Sequence, residues 1–242
     1  HEAYSTPQLQ PLYSKGPYEY PEFTALVLTY EIERDLARSI VPEPLKLREP
    51  LTCLLAVYEY EHVNGLGAYD EFMLGIATEY EGETVTYAPY YVLDGDAAVG
   101  AGREVWGIPK KYGTVDLDTD GEVATSRVER GGTELAVATV ATNEPADRHP
   151  FSRSTFRNVH WKRIPSASKN APPAVNRLVT SVVRDIDVDW AYRGAGDVEL
   201  SHSAADPVSV FEPSGDVTGF LLNCSWVLDR EEDAVLHRFE EA

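Results

Sequence analysis

The chain has 242 residues, 43% hydrophobic and 25% charged, an ordinary globular composition that excludes a disordered, collagenous or coiled-coil protein. Forty Asp and Glu against 21 Lys and Arg leave a formal charge of −19, which repels nucleic acid and anionic membrane surfaces. No apolar run approaches the ~18–20 residues of a spanning helix, and residues 1–13 lack the apolar core of a signal peptide, so a cytoplasmic protein is expected.

Residues 23–32 form the first strand-like run, rich in Leu, Val and Thr. A helix is predicted over 33–41, with Leu36, Ala37, Ile40 and Val41 on one face and Pro42 as its stop. Strands follow at 51–60, 72–80 and 83–93, then a second helix at 96–105 with Asp94 or Asp96 as its N-cap. Further strands are expected at 122–128, 134–142, 177–190 and 219–228, and residues 165–173 read as a surface loop. In the 177–190 run Val182, Arg184, Ile186 and Val188 alternate against Val183, Asp185, Asp187 and Asp189. Val235, Leu236 and Phe239 predict a C-terminal helix over 231–239. Cys53 and Cys224 each sit in an apolar run, the setting of buried thiols rather than of a disulfide. The expectation is one domain over residues 1–242, mainly β (α+β), of curved antiparallel sheets with a few short helices.

Most short signatures carry nothing. The six His form no pair at ligand spacing and the two Cys are isolated, so neither a metal nor another cofactor is expected. The glycines at 100, 102 and 107 have the wrong spacing for a dinucleotide fingerprint. An acid excess with only six Lys is a halophile-like surface composition, and it predicts a fold that salt stabilises.

The informative segment is residues 102–112, GREVWGIPKKY. Two of the six lysines, Lys110 and Lys111, are adjacent here, among Val105, Trp106, Ile108, Pro109 and Tyr112. An amine attacks a carbonyl only when it is neutral, and an apolar setting or a second ammonium disfavours the charged form. The pattern therefore suits an imine-forming lysine. In an extended segment, however, adjacent side chains leave opposite faces, so Lys111 would help little and burial would dominate.

At these residues the chain resembles the acetoacetate decarboxylase family, whose motif G-R-E-x-x-x-x-P-K-K is matched by Gly102-Arg103-Glu104 and Pro109-Lys110-Lys111. The resemblance extends to Lys15-Gly16-Pro17-Tyr18, Val41-Pro42-Glu43-Pro44-Leu45, the stretch from Gly65-Leu66-Gly67 through Tyr69 to Glu71, and Asp185 with Trp190 and Gly194. It implies a β-cone or barrel, usually a homo-oligomer, acting on a small keto acid. It also implies that Lys110 is the Schiff-base lysine, Lys111 its proposed pKa-lowering neighbour, and Glu71 the active-site carboxylate. Arg103 and Glu104 are expected first as a structural ion pair or strut and second as active-site support. Trp106, Tyr69 and Phe23 are expected as pocket support.

Two departures bear on the substrate. Family decarboxylases carry an arginine on the first strand, fitted to the substrate carboxylate, where this chain has Phe23. A second family glutamate falls at Leu55 or Ala56, with Glu59 and Glu61 too far along to replace it. Three functions remain open: a β-keto acid decarboxylase, an aldolase-dehydratase or hydratase acting on a 2-keto acid through the same lysine, and a non-catalytic binding barrel.

Overall fold

The computed structural model describes residues 4–239. The chain opens with β1 (Tyr18–Glu31), α1 (Arg34–Ile40), β2 (Lys46–Leu47) and a meander of β3 (Thr52–Val63), β4 (Gly67–Tyr80) and β5 (Glu83–Leu93). Helix α2 (Asp96–Ala101) runs into a π-turn over Gly102–Trp106, followed by β6 (Lys110–Tyr112), β7 (Thr114–Asp118), β8 (Val123–Arg130) and β9 (Thr133–Ala141). Then come β10 (Glu144–Pro145), β11 (Thr155–Ile164), β12 (Val175–Leu200), β13 (Thr218–Asp229) and β14 (Val235–Arg238). Among the described residues, no helix is long and apolar enough to cross a membrane.

The strand order β11-β5-β4-β3-β1-β13-β12, with β12 pairing back to β11, closes a barrel. The far half of β12 leaves the ring and continues into a second layer, β9-β8-β7. The expectation of antiparallel sheets holds for most pairs. The exceptions are the two-residue seam between β11 and β5 and the short β5–β6 pairing, both parallel.

Both faces of the central strands are buried, which is why they read as continuous apolar runs. On β1, Phe23, Ala25 and Val27 face the barrel interior, where they meet Leu54, Ala56 and Tyr58 of β3. Leu26, Leu28 and Tyr30 face the other way, toward Val115, Leu117, Leu135 and Val140 of the second layer. Cys53 and Cys224 are free and buried, as expected.

Three local expectations are corrected. The predicted C-terminal helix is instead the loop and strand β14, paired antiparallel with Arg177–Val179 at the start of β12. Its apolar spacing suits either state. The strand form satisfies backbone groups along β12 while Leu236 and Phe239 pack against a small core of Leu45, Val85, Tyr87, Val159 and Leu178. The alternation predicted along β12 breaks at bulges after Arg184 and Val188, with Asp185 at φ 54°, a left-handed conformation that Asp tolerates. Helix α2 is entered through Gly95 without a side-chain cap, because the Asp94 carboxylate accepts the Asp70 backbone N–H at 2.9 Å.

That contact draws acidic groups together. Burial, reinforced by Asp94, Glu59 and Asp116, pushes the Asp70 carboxyl up to about 7. Its folded pKa is thus raised above the unfolded value, so its stabilising contribution is complete below the ordinary carboxylate range and is lost as pH rises through 7. Melting temperature should therefore fall between pH 5.5 and 8.5, and Asp70→Asn should flatten that slope. The expected gain at pH 8.5 is about 1 kcal/mol after solvent screening, or ~2–4 °C. An Asp70→Asn melting curve with the wild-type pH slope contradicts this account.

Candidate active site

The segment carrying Lys110 is built around small residues and backbone hydrogen bonds. Gly102 lies against the lysine stem; a Cβ there would meet Lys110 Cδ at 2.6 Å. Gly107 ends the π-turn at φ 71°, where a Cβ would meet the Lys162 backbone at 2.4 Å. The glycines of the motif are thus steric requirements of the lysine's seat.

Arg103 Nη1 donates to the Lys110 carbonyl at 3.0 Å, and Lys162 Nζ donates to the carbonyls of Glu104 and Val105 at 2.5 and 2.9 Å. The Tyr13 hydroxyl donates to the Glu104 carboxylate. Of the two structural roles expected, ion pair or strut, the contacts match the second, since Arg103 and Glu104 are not paired with each other. Each is a separate strut, because the π-turn points them toward different partners. Trp106 is buried, with its ring 6.1 Å from that of Tyr18, and packs the turn onto the barrel.

From this seat Lys110 enters the barrel beside Tyr91, its register partner on β5. Its Nζ lies 2.6 Å from Glu71 Oε2, with the two side chains 6% and 9% exposed. Glu71 Oε2 makes no aligned hydrogen bond, so the contact is a close ion pair rather than a directed donor–acceptor bond. The Lys110 ammonium also sits 5.5 Å from the centroid of the Tyr69 ring.

Lys111 points the other way. Its Nζ lies 2.5 Å from Asp206 Oδ1 and 5.1 Å from the centroid of Tyr90. The same carboxylate accepts from Arg130 at 2.7 Å and from the Tyr90 hydroxyl at 2.8 Å. Burial alone would raise the Asp206 carboxyl, but the bonds from Lys111, Tyr90 and Arg130 overcome it and hold it below the ordinary range. Lys111, expected beside the reactive amine, is thus committed to a structural cluster on the opposite face, as strand alternation dictates.

Lys110 and Glu71 line a small cavity of about 50 Å³ with Tyr20, Tyr58, Tyr60, Tyr91, Asn158 and Ser181. Burial, reinforced by the Glu71 carboxylate, pushes the phenols of Tyr20, Tyr58, Tyr60 and Tyr91 well above their ordinary value, so they remain protonated donors. The Tyr20 and Tyr69 hydroxyls are 3.0 Å apart. Phe23 packs behind the cavity wall, with ring centroids 4.4 Å from Trp226 and 4.9 Å from Tyr60. Lys110 is the one cation among the lining residues. Arg103 is turned to the backbone, and Arg127 pairs with Glu134 on the exposed sheet. Among the described residues, no group of three or more His, Cys, Asp or Glu is placed to hold a metal.

The sequence did not point to Asn158, His160 or Ser181. They come together through the β11–β12 register, in which Asn158 faces Ser181, and no spacing along the chain reports that.

Residues 5–233 match the family model described as acetoacetate decarboxylase. An acetoacetate decarboxylase of Streptomyces nogalater is 31% identical over 210 residues, covering 85% of this chain and 84% of the relative. A second from Burkholderia cenocepacia is 30% identical over 214 residues, covering 86% and 84%. Among solved structures, the acetoacetate decarboxylase of Legionella pneumophila superposes with a TM-score of 0.87 at 24% identity, over 98% of this chain and 93% of that one. A match over nearly the whole length, spanning the lysine seat and the closing strands alike, means that the chain belongs to the acetoacetate decarboxylase family.

Proposed function

We propose that the protein is a Schiff-base lyase that decarboxylates a small β-keto acid through Lys110. The observation that carries this reading is the Lys110–Glu71 contact at 2.6 Å, both side chains buried, in a cavity whose lining holds no other cation. Attack needs the neutral amine, and Glu71, 2.6 Å away, is the one carboxylate among the lining residues placed to take the Lys110 proton. The amine attacks the ketone carbon, and protonation of the resulting hydroxyl releases water and leaves a lysine iminium. The iminium takes up the electron pair as the bond to the carboxylate breaks and CO₂ departs, giving an enamine. Glu71 then protonates the enamine carbon. Hydrolysis returns the ketone and Lys110, so the net reaction consumes one proton and releases ketone and CO₂.

Phe23 limits the choice of substrate. An arginine–carboxylate bond contributes about 1.5–3 kcal/mol, or roughly 10–150-fold. Without it, acetoacetate should be turned over with a high KM, measured as CO₂ release against concentration. A KM in the micromolar range would show that the missing arginine does not matter. The same absence favours the second reading, in which the lysine iminium of a 2-keto acid makes or breaks a C–C bond without releasing gas. Borohydride trapping with a panel of keto acids, read by intact mass together with CO₂ evolution, separates the two.

A further inference from the structure

The cavity wall formed by β11 and β12 carries polar groups for which decarboxylation has no use. Asn158 and Ser181 are direct cross-strand partners, so their side chains leave the sheet on the same face, and both line the cavity. His160, two residues further along β11, is fully buried. Its Nε2 lies 2.8 Å from Ser181 Oγ, and its Nδ1 faces the Ala88 carbonyl at 3.4 Å.

These contacts fix the direction of each hydrogen bond. A carbonyl oxygen only accepts, so Nδ1 carries the imidazole proton. Burial above all, with the Lys110 charge adding to it, holds His160 down at about 3, so the ring stays neutral at working pH. Nε2 is then a bare acceptor, and the Ser181 hydroxyl commits its one proton to it. Only lone pairs of Ser181 remain for the cavity. Beside it, Asn158 Oδ1 is buried without a partner.

A carboxylate placed against Ser181 would meet lone pairs, with the Asn158 carboxamide as the one neutral donor beside it and Lys110 as the one cation among the lining residues. A hydroxyl fits: it donates to Ser181, and it satisfies the Asn158 carboxamide in either orientation, by donating to its oxygen or accepting from its nitrogen. We propose that Ser181 and Asn158 are specificity-determining residues that select a carbonyl substrate bearing a hydroxyl group, with His160 as the positioning residue that keeps Ser181 an acceptor. This rests on imine formation at Lys110 and narrows the substrate class from keto acids in general to keto acids that also carry a hydroxyl group.

Hydroxyacetone and 2-butanone have the same number of heavy atoms and differ by a hydroxyl in place of a methyl. Each is trapped on the protein with borohydride, and the concentration giving half-maximal labelling is read by intact mass. Intrinsic carbonyl reactivity cancels when the hydroxyacetone preference is compared between variants. In Ser181→Ala the preference should fall roughly three- to tenfold, through weaker hydroxyacetone labelling with 2-butanone unchanged. In His160→Phe the Ser181 proton becomes free to donate, so pyruvate labelling should strengthen while hydroxyacetone labelling weakens. A purely structural role for His160 would lower all three ligands together. An unchanged preference in Ser181→Ala, or a uniform loss in both variants, overturns the proposal while leaving the imine intact. Absence of any label on wild-type Lys110 overturns the imine reading and the proposal with it.

Discussion

Replacing Lys110 by alanine should abolish borohydride trapping and lower kcat/KM by roughly 10⁴-fold or more, the scale of loss when a covalent nucleophile is removed. The change also strips the cation from Glu71, whose carboxylate is buried 2.6 Å from Nζ. Breaking one side of a buried pair costs about 3–5 kcal/mol, so some lost activity would be lost fold. The double variant Lys110→Met with Glu71→Gln removes both charges and should recover most of the melting temperature while staying inactive. Lys111→Ala, on the opposite face, should leave trapping intact. Adduct on Lys110→Ala, or activity in the refolded double variant, would assign the chemistry to another group.

Asp206→Ala should destabilise the fold strongly without touching the chemistry. One buried carboxylate accepts from Lys111, Arg130 and the Tyr90 hydroxyl, tying β6, β8 and β5 to the segment before the turn at Val208–Phe211. Lys111 and Arg130 each keep 33% of their side-chain surface in water, so they can rehydrate. The expected cost is therefore about 2–3 kcal/mol, below that of a fully buried pair, or a melting temperature lower by roughly 4–12 °C. Because the folded Asp206 carboxyl is held below its ordinary range, the stability it adds is present above the unfolded carboxylate value and fades as pH falls through the folded one. The variant should accordingly show a shallower acid limb, and at low temperature its Lys110 should still be trapped. A melting temperature within 1–2 °C of wild type would mean that the three donors find water or other partners at no cost.

How much of this was legible in the sequence depended on how many faces of an element are buried. β1, β3 and β4 lie between two cores, so their apolar runs announced them. β11 was missed because its charged residues Arg157, Lys162 and Arg163 interrupt the apolar run, Lys162 serving the Glu104 and Val105 carbonyls, while Asn158 and His160 serve a polar cavity. At the C-terminus, Val235, Leu236 and Phe239 fit helix or strand equally, and the available edge of β12 decided the outcome. The resemblance named Lys110 and Glu71 together, and the two side chains do meet. The destination of Lys111 depended on Asp206, 95 residues away, and no local pattern encodes that partner.

The strand order also sets a timetable for synthesis. β1 lies between β3 and β13, so one of its edges is satisfied by a segment made at once and the other by a segment that begins only at Thr218. At about 5–20 residues per second, the ribosome leaves that second edge open for roughly 10–40 s. During this interval β1 presents unpaired N–H and C=O groups flanked by Leu26, Val27 and Leu28, an invitation to pair with a neighbouring nascent chain. The barrel that shields Lys110 from water is therefore absent for most of translation, and yield of active protein should be more sensitive to elongation rate and chaperone supply than equilibrium stability would suggest.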